Sequence, residues 1–213
     1  MSDPQSTVFH GDCMEFMARY PDNYFELAIV DPPYQLDGWH DKGNNKTRIS
    51  AKEGSKRKLW DKKPKDCYFK ELKRVSKNQI IWGGNYFNLG ICVAPIIWDK
   101  KNNGVHFADG EFAWSSFKTG TLRMFRLACI EMLHIEKRIH PTQKPARLYE
   151  WLLKNYAKEG DKILDTHMGS QSSRIAAYKY GFDYWGSELD DDYFKSGCER
   201  FERESKQPML LKI

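Results

Sequence analysis

The run Phe25-Glu26-Leu27-Ala28-Ile29-Val30 places apolar side chains on both alternating faces, so a strand built from it must be covered on both sides. It ends at Asp31-Pro32-Pro33-Tyr34, where consecutive prolines remove two amide donors and stop the ladder. A buried strand of this type belongs in the middle of a parallel sheet flanked by helices. The rest of the chain repeats the alternation. A short strand from Thr7 to His10 leads into an apolar-periodic helix through Cys13, Met14, Phe16, Met17 and Tyr20. A helix capped by Asp66, carrying Tyr68, Phe69, Leu72 and Val75, precedes a strand at Gln79 to Trp82. Further strands are predicted at Ala94 to Trp98, Glu111 to Phe117 and Leu122 to Leu127. The last two are expected to be antiparallel, because only a short turn containing Gly120 separates them. A helix beginning at Pro145 or Ala146 repeats Leu148, Trp151, Leu152 and Tyr156 and stops at Gly160. Strand Lys162 to Leu164, helix Ser172 to Tyr180, strand Tyr184 to Gly186 and helix Asp190 to Arg203 then form a βαβ unit. The predicted architecture is α/β, a doubly wound, mostly parallel sheet with an antiparallel portion. At 213 residues, positions 1-213 are expected to form one domain with one sizeable core.

The whole-chain charge of +5 is too small to select a partner, but its distribution is uneven. From Lys42 to Arg74 the sequence holds 13 Lys or Arg against four acids, a net +9 that leaves −4 for the remainder. Most of these lysines fall in a stretch with no sustained period, and Asp37 to Lys65 reads as a long basic loop inserted into the sheet fold. No run approaches the roughly 18 apolar residues of a membrane span, and the start has no basic region followed by an apolar stretch. A cytoplasmic address without membrane contact is expected. The five cysteines, Cys13, Cys67, Cys92, Cys129 and Cys198, are dispersed and form no CxxC pair, so they are expected to be reduced. The six histidines show no clustered ligand spacing, and no metal centre is expected.

Four acids, Asp12, Asp31, Asp165 and Glu188, follow or end predicted strands. In a doubly wound sheet those ends share one crevice. Asp165 and Glu188 lie 23 positions apart and flank one βαβ unit, a spacing suited to gripping the ribose of an adenosine-containing cofactor. The turn between them lacks GxGxxG, which disfavours a dinucleotide, and GxxxxGK[ST] is absent, which disfavours an ATP phosphate cradle. Simple structural turns remain the competing account. In Asp31-Pro32-Pro33-Tyr34, a carboxylate and a proline carbonyl offer two acceptors for an exocyclic amino group, and the Tyr34 ring can stack on a planar base. The bland alternative is a rigid turn with a buried tyrosine. His140-Pro141-Thr142-Gln143-Lys144-Pro145 leads into a helix start, where amide donors, the Thr142 hydroxyl and Lys144 can hold an anionic group such as a carboxylate. Cys13 has no sequence context that would activate it as a nucleophile. Trp39 and Trp60, inside the basic loop, can either stack on nucleic acid or anchor the loop to the body.

These segments together resemble the permuted β group of S-adenosylmethionine-dependent DNA amino-methyltransferases, with similarity extending from Gly11 to about Arg203. The counterparts are Asp31 to Tyr34 for the catalytic segment, His140 to Pro145 for the segment introducing the cofactor half, and Asp165 to Ser173 for its first turn. The resemblance implies a Rossmann-like methyltransferase fold with circularly permuted motif order. It implies a cofactor, S-adenosylmethionine, held by Asp165, Thr166 and Gly169 at the methionine turn, by Glu188 at the ribose hydroxyls, by Asp12 near the adenine, and by Lys144 facing the carboxylate. It assigns the catalytic segment to Asp31, Pro32, Pro33 and Tyr34, with the target nitrogen attacking the sulfonium methyl directly. Three departures stand out: the family's proline and phenylalanine after the aspartate are Thr166 and His167, and its second glycine is Gln171. A side chain at Gln171 is expected to narrow the pocket unless it is directed away.

A DPPY segment, rather than an SPPY type, favours adenine N6 over cytosine N4 within that resemblance. The expected activity is therefore site-specific methylation of adenine N6 in duplex DNA. Cytosine-N4 methylation, a DNA-binding protein on a weakened methyltransferase scaffold, and an RNA or small-molecule methyltransferase stand as alternatives. No spare block between Trp98 and His140 is long enough for a separate recognition domain, which makes the loop 37-65 the candidate DNA-recognition insertion. Trp39, Asn44, Asn45, Arg48, Lys56, Arg57, Lys58 and Trp60 are its candidate DNA contacts, with a solvated, non-contacting loop as the alternative. Duplex DNA is the expected partner; a homodimer and a cognate restriction nuclease are further partners that the sequence leaves open.

Overall fold

The computed structural model describes residues 3–34, 62–102, 108–118, 120–128, 131 and 136–206. The strands are β1 (Ser6–His10), β2 (Phe25–Val30), β3 (Ser76–Trp82), β4 (Ile96–Asp99), β5 (Gly110–Ser115), β6 (Arg123–Arg126), β7 (Lys162–Asp165) and β8 (Asp183–Glu188). The α-helices are α1 (Cys13–Met17), α2 (Asp66–Val75), α3 (Ala146–Tyr156), α4 (Ser172–Tyr180) and α5 (Asp191–Ser205).

All eight strands join one sheet in the order β1-β8-β7-β2-β3-β5-β4-β6. The first five neighbours, β1 through β3 in that order, are parallel. β5 runs antiparallel to both β3 and β4, and β4 pairs parallel with β6. The mixed α/β expectation therefore holds, with β5 as the reversed strand. The fifth and sixth strands run in opposite directions as expected, but they do not pair with each other. β4 lies between them, because β4 takes up the ladder on both of its edges.

The double coverage demanded by β2 is present. Leu27 and Ile29 face a cluster with Ile80, Trp82, Leu148, Leu152, Ile163 and Ala176. Ala28 and Val30, on the opposite face, pack with Phe16, Leu72, Val75, Ile81, Leu164 and Trp185. Thus α3 and α4 cover one face, and α1 and α2 cover the other. Two helix boundaries differ from expectation. α1 stops at Met17, short of Tyr20, and the residue capping α2 is Lys65, which makes no side-chain bond there. Asp66 instead occupies the first turn, where its charge still complements the helix N-terminus.

This topology fixes where a ligand can sit. From β2 the sheet grows towards β3, and from β7 it grows towards β8, so the order reverses between β2 and β7. Carboxyl ends beside such a reversal diverge and leave a crevice. Asp31 follows β2 and Asp165 ends β7, which puts the two acid-bearing turns singled out in the sequence at that point.

Candidate active site

A cavity of about 670 Å³ opens at the carboxyl ends of the parallel strands. Asp31, Pro32, Pro33 and Tyr34 all line it. So do Asp12, Lys144, Thr166, Gly169 and Glu188, which the fold gathers from four different junctions. Asp165 is the exception among the nominated catalytic and cofactor residues. It is 1% exposed and lies beneath the turn, accepting bonds from the His167 amide (3.0 Å) and the Ser173 hydroxyl (2.5 Å). Those two bonds hold the shape of the turn. Burial pushes the Asp165 pKa up to about 7, against the pull of those two hydrogen bonds.

The turn above Asp165 is a small backbone cradle. Gly169 has φ +47°, and its amide donates to one Glu188 oxygen at 2.8 Å. The other Glu188 oxygen accepts from the Asp190 amide at 3.0 Å. Glu188 is thereby fixed at the rim of the cavity, with burial raising its pKa above the ordinary value while those amides oppose the rise. Thr166 bonds the buried Tyr68 hydroxyl at 2.6 Å and His167 Nδ1 at 2.9 Å. Burial lowers the His167 pKa to about 4, so its imidazole is neutral around pH 7. Asp12 caps α1, accepting the Met14 amide at 2.6 Å. Burial, reinforced by the Asp12 charge, raises the neighbouring Cys13 thiol to about 12, which leaves it protonated and unsuited to nucleophilic attack.

Gln171 has the left-handed conformation a glycine would adopt, with φ +60°. Its side chain is fully buried and turned away from the cavity. There it accepts from Arg174 (2.9 Å) and donates to the Phe194 carbonyl (3.3 Å). Room for it comes from Gly197 on α5, where an added Cβ would lie 2.7 Å from Gln171 Cγ. The pocket is therefore not narrowed at this position.

The Asp31 to Tyr34 segment is more heavily bonded than its sequence suggests. One Asp31 oxygen accepts the Tyr34 hydroxyl, and the other accepts Lys144 Nζ at 2.5 Å. The Tyr34 ring stacks on Tyr86 with centroids 5.0 Å apart and rests on Gly83. Lys144 also contacts Glu111 Oε2 at 2.9 Å, and its side chain is only 3% exposed. Burial works against its charge, but Asp31 and Glu111 together keep its pKa above the ordinary value. Burial likewise opposes ionisation of Glu111, yet the Lys144 and Lys100 ammonium groups hold it at about 2.

Within the His140 to Pro145 segment, Lys144 lines the cavity and bonds Asp31 and Glu111. The first amide of α3, on Ala146, is taken by Glu136 at 2.8 Å, so this helix start does not present it to an anion. Glu136 in turn pairs with the buried Arg200 at 2.8 Å, tying the segment to α5.

Glu111 and Lys100 are site residues that the sequence motifs do not mark. A strand's first residue normally lies at the far end of a parallel sheet, but the reversed β5 brings its beginning to the ligand side. The usable signal is the glycine before it. A Cβ at Gly110 would lie 2.7 Å from the Trp98 carbonyl, so Gly110 permits the close approach of β4 and β5. The nominated contacts Trp39, Asn44, Asn45, Arg48, Lys56, Arg57, Lys58 and Trp60 lie outside the described residues. Lys62, just beyond them, lines the cavity.

Residues 40–199 match the DNA methylase family of N6 and N4 enzymes. The chain belongs to this family. Type II methyltransferase M2.MboI of Moraxella bovis is 22% identical over 245 residues, covering 93% of this DNA methylase and 88% of the relative. The putative methylase YubD of Escherichia coli K12 is 26% identical over 216 residues, with 92% and 89% covered. Among solved structures, the M1.HpyAVI–SAM complex matches with a TM-score of 0.62 at 19% identity, covering 92% of this chain and 100% of that one. TTHA0409 of Thermus thermophilus, complexed with S-adenosyl-L-methionine, gives 0.58 at 22% identity, covering 95% and 97%. The cytosine-N4-specific PvuII DNA methyltransferase gives 0.60 at 14% identity, covering 97% and 93%. These likenesses establish the Rossmann-like methyltransferase fold of this DNA methylase. Among its described residues, no helix is long and apolar enough to cross a membrane.

Proposed function

We propose that this DNA methylase transfers a methyl group from S-adenosylmethionine to adenine N6 in duplex DNA, acting on a base turned out of the helix. The observation that carries the reading is the opening of the Asp31-Pro32-Pro33-Tyr34 segment into the same cavity as the Gly169 turn and Glu188. A base amine and a nucleoside cofactor can meet only if both sites share one space, and about 670 Å³ is ample for the two reacting ends.

The cradle fits the cofactor. Gly169 keeps the turn free of a side chain, and Glu188 retains lone pairs for ribose hydroxyls after accepting its two amides. Asp12 and the neutral His167 border the remaining space. When bound, S-adenosylmethionine supplies an electrophilic methyl group on a positively charged sulfur. Each Asp31 oxygen accepts one hydrogen bond in the structure and keeps a second lone pair for the target amine. The Pro32 carbonyl provides the second acceptor, so both amine hydrogens can be held and the nitrogen lone pair aimed. The Asp31 charge also favours the positive charge that develops on that nitrogen. Tyr34, with Tyr86 behind it, offers a flat aromatic face for the base.

The choice of adenine rests on the DPPY form of the segment, and duplex DNA on the relatives and the basic loop. The Type II names of the relatives also support a cognate restriction nuclease as the functional partner. The test is incubation with unmodified DNA and labelled S-adenosylmethionine, followed by identification of the modified base. N6-methyladenine is expected, and Asp31→Ala should abolish its formation while leaving cofactor binding intact. N4-methylcytosine would replace the base assignment; a greater yield on RNA or free nucleosides would replace the substrate.

A further inference from the structure

We propose that Glu111 is a positioning residue for methyl transfer, holding the Lys144 ammonium against Asp31 so that the catalytic carboxylate keeps one orientation. The inference rests on the proposed reaction at this site. Asp31 leaves the sheet at Pro32 and Pro33, so no backbone ladder continues beyond it to fix its side chain. Its orientation instead depends on Tyr34 and Lys144.

Lys144 needs an anchor of its own. Its stem passes through the core beside Trp82, with Nζ 5.4 Å from the ring centroid, and the ammonium group emerges between two carboxylates. Glu111 is gripped from both sides, by Lys144 on Oε2 at 2.9 Å and by Lys100 on Oε1 at 2.5 Å. Its backbone is set by the tight approach of β5 to β4 at Gly110. The chain of constraint therefore runs from the reversed strand, through Glu111 and Lys144, to Asp31.

The second consequence is electrostatic. With Asp31 as its only partner, Lys144 would neutralise the carboxylate beside a nitrogen that becomes positively charged. Glu111 draws part of the Lys144 charge away from Asp31, and Lys100, on the other Glu111 oxygen, completes a cluster of two carboxylates and two ammonium groups. A mere brace for the sheet edge would contribute stability but would not alter the chemical step.

The test compares methyl transfer to duplex DNA by wild-type protein and the Glu111→Gln, Glu111→Asp, Lys144→Gln and Glu111→Gln/Lys144→Gln variants, with thermal unfolding as a check of folding. Glu111→Gln should lower kcat roughly 10- to 100-fold with KM for S-adenosylmethionine within about twofold. Its alkaline pH limb should move to lower pH, because one of the two carboxylates retaining the Lys144 proton is gone. Glu111→Asp should recover part of kcat, and it keeps the test usable should the glutamine variant misfold. In the Lys144→Gln background, Glu111→Gln should cause little further loss. A Glu111→Gln enzyme with wild-type kcat and pH profile would overturn the proposal, as would independent, multiplicative losses in the double variant. Wild-type protein that transfers no methyl group to DNA would overturn the reading of the site and this inference with it.

Discussion

At the scale of the residue, Gly83 shows how little freedom the Tyr34 side of the cavity has. Its φ is +64°, and an added Cβ would lie 2.1 Å from a ring carbon of Tyr34. Gly83→Ala therefore combines a left-handed alanine with displacement of the stacking tyrosine. The expected result is about 1–3 kcal/mol lower stability in urea unfolding, with methyl transfer reduced by more than cofactor binding. Unchanged transfer would show that Tyr34 does not need its present place. The residues that touch ligand space were the more legible ones, because Asp31, Tyr34 and Glu188 are chemically conspicuous at the ends of apolar runs. Asp165 was equally conspicuous, but its burial beneath the turn involves Ser173, which donates to it and is itself bonded by the Tyr184 hydroxyl, contacts made only in three dimensions.

Among elements, the contact of the Gly169 turn with α5 explains why a glutamine is tolerated where a glycine was expected. Gln171 has the backbone of a glycine and places its side chain in the notch left by Gly197. In an ordinary helix, Gly197→Ala would gain up to about 1 kcal/mol of propensity. Here the methyl group meets a buried, hydrogen-bonded side chain, so a net loss of about 1–2 kcal/mol is expected in chemical denaturation. Gln171→Gly should restore much of that loss in the double variant, since it removes the side chain and suits the positive φ. Additive losses would mean that the two positions do not compete for this notch. The feature missed most completely was the place of β4 between β5 and β6. Short strands with similar alternation give no direction of their own, and the close turn after β5 favoured a hairpin with β6; insertion of β4 between them is a choice of the whole sheet.

For the whole molecule, the buried Asp165 ties stability to pH. Its pKa rises from 3.8 to about 7 on folding, so the folded state holds the proton more tightly. The associated stabilisation is complete below about pH 3.8 and is lost as pH rises through about 7. Asp165→Asn removes this dependence. Relative to the wild type, the variant should gain about 2 kcal/mol between pH 5 and pH 8 in urea unfolding. A difference that stays constant over that interval would show the carboxylate already ionised in the fold at pH 5. By itself the sequence determined the α/β class, the central place of β2, the two turns at the sheet reversal and the family, because those depend on local periodicity and on short motifs. Only the tertiary structure decided that Lys144 bonds Asp31, that Asp165 lies beneath the Gly169 turn and that Glu111 lines the cavity. Each of those depends on which distant segments pack together, and the energy of a buried charge is set by its neighbours in space, not by those in the chain.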